Sequence, residues 1–296
     1  MAFNLQTFRT RTLTAVIFAV IMLSGLSINE WTFFALFTII HFGCWIEYQK
    51  IVGTIYDSYN QISRFHKYGV LLLGWFFMIW MTHNTTKMGT ATFYGMGWYC
   101  MTVLVMFLLA TEVVFKKNLN LKAIGYSALG LVYISLSWGL MIALRNRSAD
   151  NYDLSHPSFN YGALIPCGVV FSIWMNDTMQ YIVGSLLGKT PFSKISPKKT
   201  WEGTIGGSIL CIVIIAILGS SIAVAKVYSV LDWTAIASIA AITGTIGDLV
   251  ESKLKRMANI KDSGNIMPGH GGFLDRFDSL LLAVPFVWLY VHLFLK

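Results

Sequence analysis

Apolar residues in this chain come in long unbroken runs, and polar residues gather in the gaps between them. Nine runs approach the roughly 20 residues that a helix needs to cross a bilayer core. They lie at about 13–28, 31–48, 68–82, 97–115, 123–144, 161–187, 205–225, 233–250 and 280–295. The third has the shortest apolar core, Val70 to Met81. The pattern predicts an all-α, polytopic integral membrane protein of about nine transmembrane helices. Residues 1–160 form an N-terminal transmembrane region of about five spans, and residues 161–296 a second transmembrane region bearing cytoplasmic loops 188–204 and 251–279.

Composition agrees: 55% of the 296 residues are hydrophobic and only 12% charged, which excludes an ordinary soluble domain. Arg9 and Arg11 before the first run imitate a signal peptide, but further spans follow at once, so a retained first span is expected. The four cysteines (Cys44, Cys100, Cys167, Cys211) all fall inside apolar runs without a C-x-x-C pair and read as small buried side chains. The net charge of +8 points to anionic lipid, because no basic run interleaved with aromatics lies outside the spans to bind nucleic acid. With the N-terminus in the cytoplasm, seventeen of the 22 Lys and Arg residues fall on the inner side, including Lys116, Lys117 and Lys194. This obeys the positive-inside rule and puts both charged loops on one face.

Residues 248–279 hold five acidic and five basic side chains. On helices, Asp248, Ser252 and Lys255 share one face, and Asp275, Asp278 and Ser279 another. Between them, Pro268-Gly269-His270-Gly271-Gly272 breaks any helix and frees backbone N–H groups ahead of a helix start, a good place for phosphate. Carboxylates beside such donors suggest a divalent metal carrying a nucleotide di- or triphosphate. Asp248, Asp275 and Asp278 are the expected metal set, with Asp177 contributing from the sixth span, where an ionisable group marks a functional site by default. Pairing with a lysine or between helices is the alternative for Asp177. Glu251 and Lys255 read equally well as an i,i+4 helix pair, and His270 either as structural or as a contact to substrate or metal-bound water. Ser193, Ser196, Lys198 and Lys199 suit a loop that grips a lipid or nucleotide phosphate; plain surface charge is the alternative. Gly188-Lys189-Thr190 is no Walker loop, since the upstream glycine position is Val183. The pairs Gly206-Gly207 and Gly244, Gly247 permit close helix approach.

Two blocks resemble the phosphatidate cytidylyltransferase (CDP-diacylglycerol synthase) family. One is Ser252-x-Leu-Lys255-Arg256, Lys261-Asp262, then His270-Gly271-Gly272-Phe-x-Asp275-Arg276-x-Asp278. The other is Asn176-Asp177 with Gly188-Lys189-Thr-Pro-Phe-Ser193-Lys-Ile-Ser196-Pro197-Lys198-Lys199-Thr-Trp-Glu202-Gly203. Met267 departs mildly, keeping an apolar anchor. The likeness covers about the last 120 residues; the N-terminal half matches only as an apolar multi-span region. It implies transfer of a cytidylyl group from CTP to phosphatidic acid, with release of pyrophosphate, for phospholipid synthesis. It also implies magnesium (two divalent ions, with a monovalent ion admitted beside them) and a homodimer. The catalytic set would be Asp177, Asp248, Lys255, His270, Asp275, Arg276 and Asp278. Substrate contacts would come from Lys189, Ser193, Ser196, Lys198, Lys199, Glu202, Ser252, Arg256, Lys261, Asp262, Gly271, Gly272 and Ser279. The inner (plasma) membrane of a bacterium, with the site facing the cytoplasm, is the expected location. Two rivals remain. A CTP-dependent lipid kinase would release CDP in place of pyrophosphate. A secondary transporter fits poorly, because the charges crowd one face and no paired halves are visible.

Overall fold

The computed structural model describes residues 5–82, 87–88, 91–115, 120–149, 160–193, 195–266 and 271–295. Lys116, Lys117, Lys194 and the stretch Met267–His270 lie outside them. The helices are α1 (Leu5–Ser27), α2 (Glu30–Ile55), the short α3 (Asp57–Asn60), α4 (Arg64–Trp80), α5 (Phe93–Phe115), α6 (Leu121–Gly130) and α7 (Leu136–Ala149). They continue with α8 (Leu164–Leu187), α9 (Trp201–Ser221), α10 (Val230–Met257) and α11 (Leu274–Phe294). A two-residue antiparallel pair, β1 (Lys87–Met88) with β2 (Ala91–Thr92), is the one departure from an all-helical chain among the described elements.

Among the described residues, five helical stretches are long and apolar enough to cross a membrane: Phe93–Glu112, Leu121–Ala149, Trp201–Ser221, Val230–Met257 and Leu274–Phe294. The chain is therefore an integral membrane protein by length and composition. Helices α2 and α8 are as long, but His41 and Glu47 in one, and Asn176, Asp177 and Gln180 in the other, dilute their hydropathy. The outward faces are apolar; Val103, Phe107 and Leu109 on α5 and Ile209, Val213 and Ile217 on α9 are all exposed, as helices bathed in lipid require.

Helix starts follow local side-chain chemistry. Asn29 accepts from the Thr32 amide at 2.9 Å while the Thr32 hydroxyl accepts from the Asn29 amide at 3.1 Å, a capping box that opens α2. Ser229 and Asp232 do the same for α10, and Thr200 caps α9 through the Gly203 amide. Residues Leu131–Ser135 form a π-turn joining α6 to α7. Near its end the Ser135 hydroxyl receives Trp45 Nε1 at 2.9 Å and sits 3.1 Å from His41 Nε2. In α11, Pro285 cannot donate to the carbonyl of Leu281, and the Ser137 hydroxyl of α7 donates to that oxygen at 2.5 Å. Trp138 of α7, fully buried between Phe37 of α2 (ring centroids 5.2 Å apart) and Phe277 of α11 (5.6 Å), pins the three helices together. Phe277 thereby holds the turn that carries Arg276 and Asp278.

Candidate active site

Helices α8 to α11 form the frame, with α8 packed along α9 and α10 along α11. The closeness of α10 to α11 depends on glycine at one point: a Cβ at Gly247 would lie 2.6 Å from the Asp278 carbonyl oxygen, while one at Gly244 would press on Ile173 of α8. Gly207 of α9 meets the backbone of Gln180 in the same way. Below the site, Asn176, almost fully buried, accepts from the Ser208 hydroxyl at 3.0 Å and points its amide at Thr245 Oγ1, 3.4 Å away. Gln180 Nε2 donates to the same Thr245 oxygen at 2.9 Å. The polar groups of α8 that sit deepest are thus consumed in joining three helices, which removes their cost in an apolar setting.

Above this floor lies a cavity of about 560 Å³, lined by both charged blocks: Asp177, Ser196, Lys198, Lys199, Asp248, Asp275, Asp278 and Ser279, with Gln180, Tyr181, Ser185 and Thr204. Asp177 stands ten residues before the C-terminal end of α8, and Asp248 nine before the end of α10. At 1.5 Å per residue each is about 15 Å inside its helix, so the cavity reaches well into the bundle. Lys199 and Asp248 form an ion pair across it, joining the two blocks that the sequence keeps apart. Ser252 Oγ reaches Asp248 Oδ1 at 3.3 Å, as i,i+4 neighbours do. The Ser279 amide donates to Asp278 Oδ1 at 2.6 Å.

Beside the cavity is a second acidic cluster in which the bonds are largely filled. Lys255 Nζ lies 2.6 Å from Asp275 Oδ1 and 2.5 Å from the buried Glu251, so the i,i+4 pair exists and extends to a third partner. Asp275 Oδ2 accepts from the Ser263 amide (2.7 Å), the Ser263 hydroxyl (2.8 Å) and the Gly272 amide (2.8 Å). Gly271 adopts φ +82°, a region L side chains avoid, and a Cβ there would press on the Asp275 carboxylate. Sequence spacing misses Glu47 of α2, whose carboxylate accepts from the Ser263 hydroxyl at 2.6 Å and from the amides of Phe273 and Leu274 at 2.9 Å each. Its signal was present: a lone carboxylate in an apolar run.

The remaining candidates stand around the rim. Glu202 accepts from the Lys189 amide at 3.1 Å and the Thr190 amide at 3.1 Å, folding the start of the 188–200 loop onto α9. Ser193 Oγ accepts from the Ile195 amide at 3.1 Å, a local turn. Arg256 Nη1 donates to the Ile260 carbonyl at 3.4 Å. Lys189, Lys261, Asp262 and Arg276 are exposed, and none of these rim residues lines the cavity. His270 lies outside the described residues.

Magnesium suits the chemistry of Asp177, Asp248 and Asp278, whose hard oxygens face one cavity. Among the described residues no three acidic, His or Cys side chains converge tightly enough to hold an ion alone. Phosphate oxygens and water would complete the shell, as magnesium prefers. Asp275 fits less well as a ligand, because both its oxygens already accept hydrogen bonds.

Comparison with known proteins places this arrangement. The model of the cytidylyltransferase family matches residues 9–294. A phosphatidate cytidylyltransferase of Bacillus subtilis (strain 168) is 37% identical over 193 residues, 64% of this chain and 66% of that protein. One from Synechocystis is 40% identical over 145 residues, 48% of each chain. The chloroplastic phosphatidate cytidylyltransferase 5 of Arabidopsis thaliana is 39% identical over 127 residues, 43% of this chain and 30% of that one. The matched part thus spans just under two thirds of the first of these relatives and about half or less of the other two. With its two charged blocks folded into one cavity and the family model matching from residue 9 to residue 294, the chain belongs to the cytidylyltransferase family.

Proposed function

We propose that this protein transfers a cytidylyl group from CTP to phosphatidic acid, giving CDP-diacylglycerol and pyrophosphate with magnesium. In this reading it works as a homodimer of nine-span chains, in the inner (plasma) membrane of a bacterium with the cavity open to the cytoplasm. The observation that carries the proposal is the meeting of Lys198 and Lys199 with Asp177, Asp248 and Asp278 in one cavity that penetrates the bundle. The phosphatidate cytidylyltransferases among the relatives support the substrate pair. The asymmetry of Lys and Arg supports the orientation.

A phosphate monoester is already an anionic nucleophile at neutral pH, so the chain need not supply one. What it must supply is charge neutralisation and alignment. Lys198 and Lys199 attract the phosphates, and Lys199 exchanges its Asp248 partner for them. Asp177, Asp248 and Asp278 would hold a divalent cation, which when bound would supply charge neutralisation for the triphosphate. The exposed apolar residues Tyr181, Leu186 and Leu187 on α8, next to the mouth, give the acyl chains a path in from the lipid.

The test is a detergent-purified preparation given labelled CTP with and without phosphatidate. Formation of CDP-lipid and pyrophosphate in equal amounts, only with a divalent metal, is expected. Release of CDP with a phosphorylated lipid would assign a lipid kinase, and absence of any lipid-dependent turnover would sink the proposal.

A further inference from the structure

We infer that Glu47, from the N-terminal half, is a positioning residue of this site: it ties Ser263 to Phe273 and Leu274, and so fixes the start of α11. The inference rests on the cytidylyl-transfer reading for its kinetic test but not for its structural one.

Glu47 is buried at 6% exposure in a helix whose buried face is, His41 apart, almost entirely apolar. A carboxylate is costly there unless donors meet it. The donors come from the far end of the chain: the amides of Phe273 and Leu274, at 2.9 Å each, and the Ser263 hydroxyl at 2.6 Å. Phe273 is the N-cap of α11 and provides no side-chain cap of its own. Glu47 therefore does the capping from another helix, satisfying the first amides of α11 and placing negative charge at its positive end.

The fit is close on both sides. A Cβ at Gly264 or at Gly272 would overlap the Glu47 carboxylate, so these two glycines are needed for backbone approach to it. Ser263 Oγ stands between Glu47 Oε2 and Asp275 Oδ2, at 2.6 and 2.8 Å, and its single hydrogen can serve only one of them at a time. From Asp275 the chain of contacts runs to Lys255 and Glu251 on α10. One clasp thus joins α2, Ser263, α11 and α10. The first turns of α11 carry Asp278 and Ser279 into the cavity. Displacement of that start by about 1 Å is enough to cost about 100-fold in rate.

Glu47→Gln keeps the size of the side chain but sets an NH2 group against backbone donors. In purified protein, kcat should fall about 100-fold for Glu47→Gln and about 30-fold for Ser263→Ala. The double variant should be no slower than Glu47→Gln alone, because both act through one contact. A merely structural role would lower the melting temperature but leave kcat of the folded protein within threefold of wild type. Either single variant keeping more than a third of wild-type kcat, or losses that multiply, overturns the inference. Should Glu47→Gln fail to fold, Ser263→Ala alone decides by the same criterion. If wild-type protein turns over no CTP with phosphatidate, the reaction reading has failed and hydrogen exchange decides the clasp. The amides of Phe273 and Leu274 should then exchange at least tenfold faster in Glu47→Gln, and unchanged exchange would overturn it.

Discussion

The two halves of this chain both bury polar groups among apolar helices, and they use them in opposite ways. In the N-terminal half, Glu47 apart, buried side chains such as His66, Glu112, His41 and Trp45 are spent on partners of the same half. His66 lies 2.8 Å from Glu112 and 3.1 Å from Ser127, in the order of a hydrolytic triad, but all three are buried from any substrate. His41, Trp45 and Ser135 form a similar tie at the π-turn. One cavity of this half, about 410 Å³ between α4, α5 and the π-turn, is lined by residues such as Leu73, Phe77, Met101 and Val132. In the C-terminal half the cavity is lined by aspartates and lysines, and Asp177, Lys198 and Asp278 have room to meet a ligand. Burial alone does not mark function; a polar group facing a void large enough for substrate does.

This contrast can be broken or sharpened by substitution. The largest effect is expected at Asp278: Asp278→Asn should slow CDP-lipid formation by about three orders of magnitude, about 4 kcal/mol of barrier, in a protein that still folds. Turnover within tenfold of wild type would remove Asp278 from the metal set. Asp275→Asn should cost less, about 30-fold, because this side chain shapes the turn more than it faces the ligand; a radiolabelled CTP assay on both variants ranks them. Gly247→Leu should force α10 from α11 and destabilise by about 2–3 kcal/mol, seen as a lower melting temperature in detergent along with lost turnover. His66→Ala strips Glu112 and Ser127 of their shared partner. It should cost about 1–3 kcal/mol of stability yet leave kcat within threefold, and a large fall in kcat at unchanged melting temperature would put the N-terminal tie inside the mechanism. The smallest effect is expected for Glu202→Gln, which keeps one carbonyl acceptor for the Lys189 and Thr190 amides: less than a tenfold change, read from the same assay.

Much of the frame is legible in sequence because a bilayer imposes a simple rule, a run of apolar residues long enough to span. The two charged blocks are legible for the same reason, since charge stands out against so apolar a background. Face arguments worked less evenly. Asp248, Ser252 and Lys255 share a helix face, but Asp248 turns to Lys199 and the cavity while Lys255 turns to Asp275. Spacing along one helix says nothing about what the next helix brings. Asp275 reads as a metal ligand from its i,i+3 relation to Asp278, yet Ser263 and Gly272 donate to its Oδ2 and Lys255 to its Oδ1. Glu47 escapes the motif altogether, more than 200 residues from the helix start it caps.

The sequence by itself determined the membrane class, the helical frame and the chemical type of the site, because each is written in local composition and short-range spacing. Only the tertiary structure decided which acids remain open to a ligand and which are consumed in holding the backbone, because that depends on donors arriving from distant helices. A carboxylate has few lone pairs, and the folded chain, not the motif, settles how many are left.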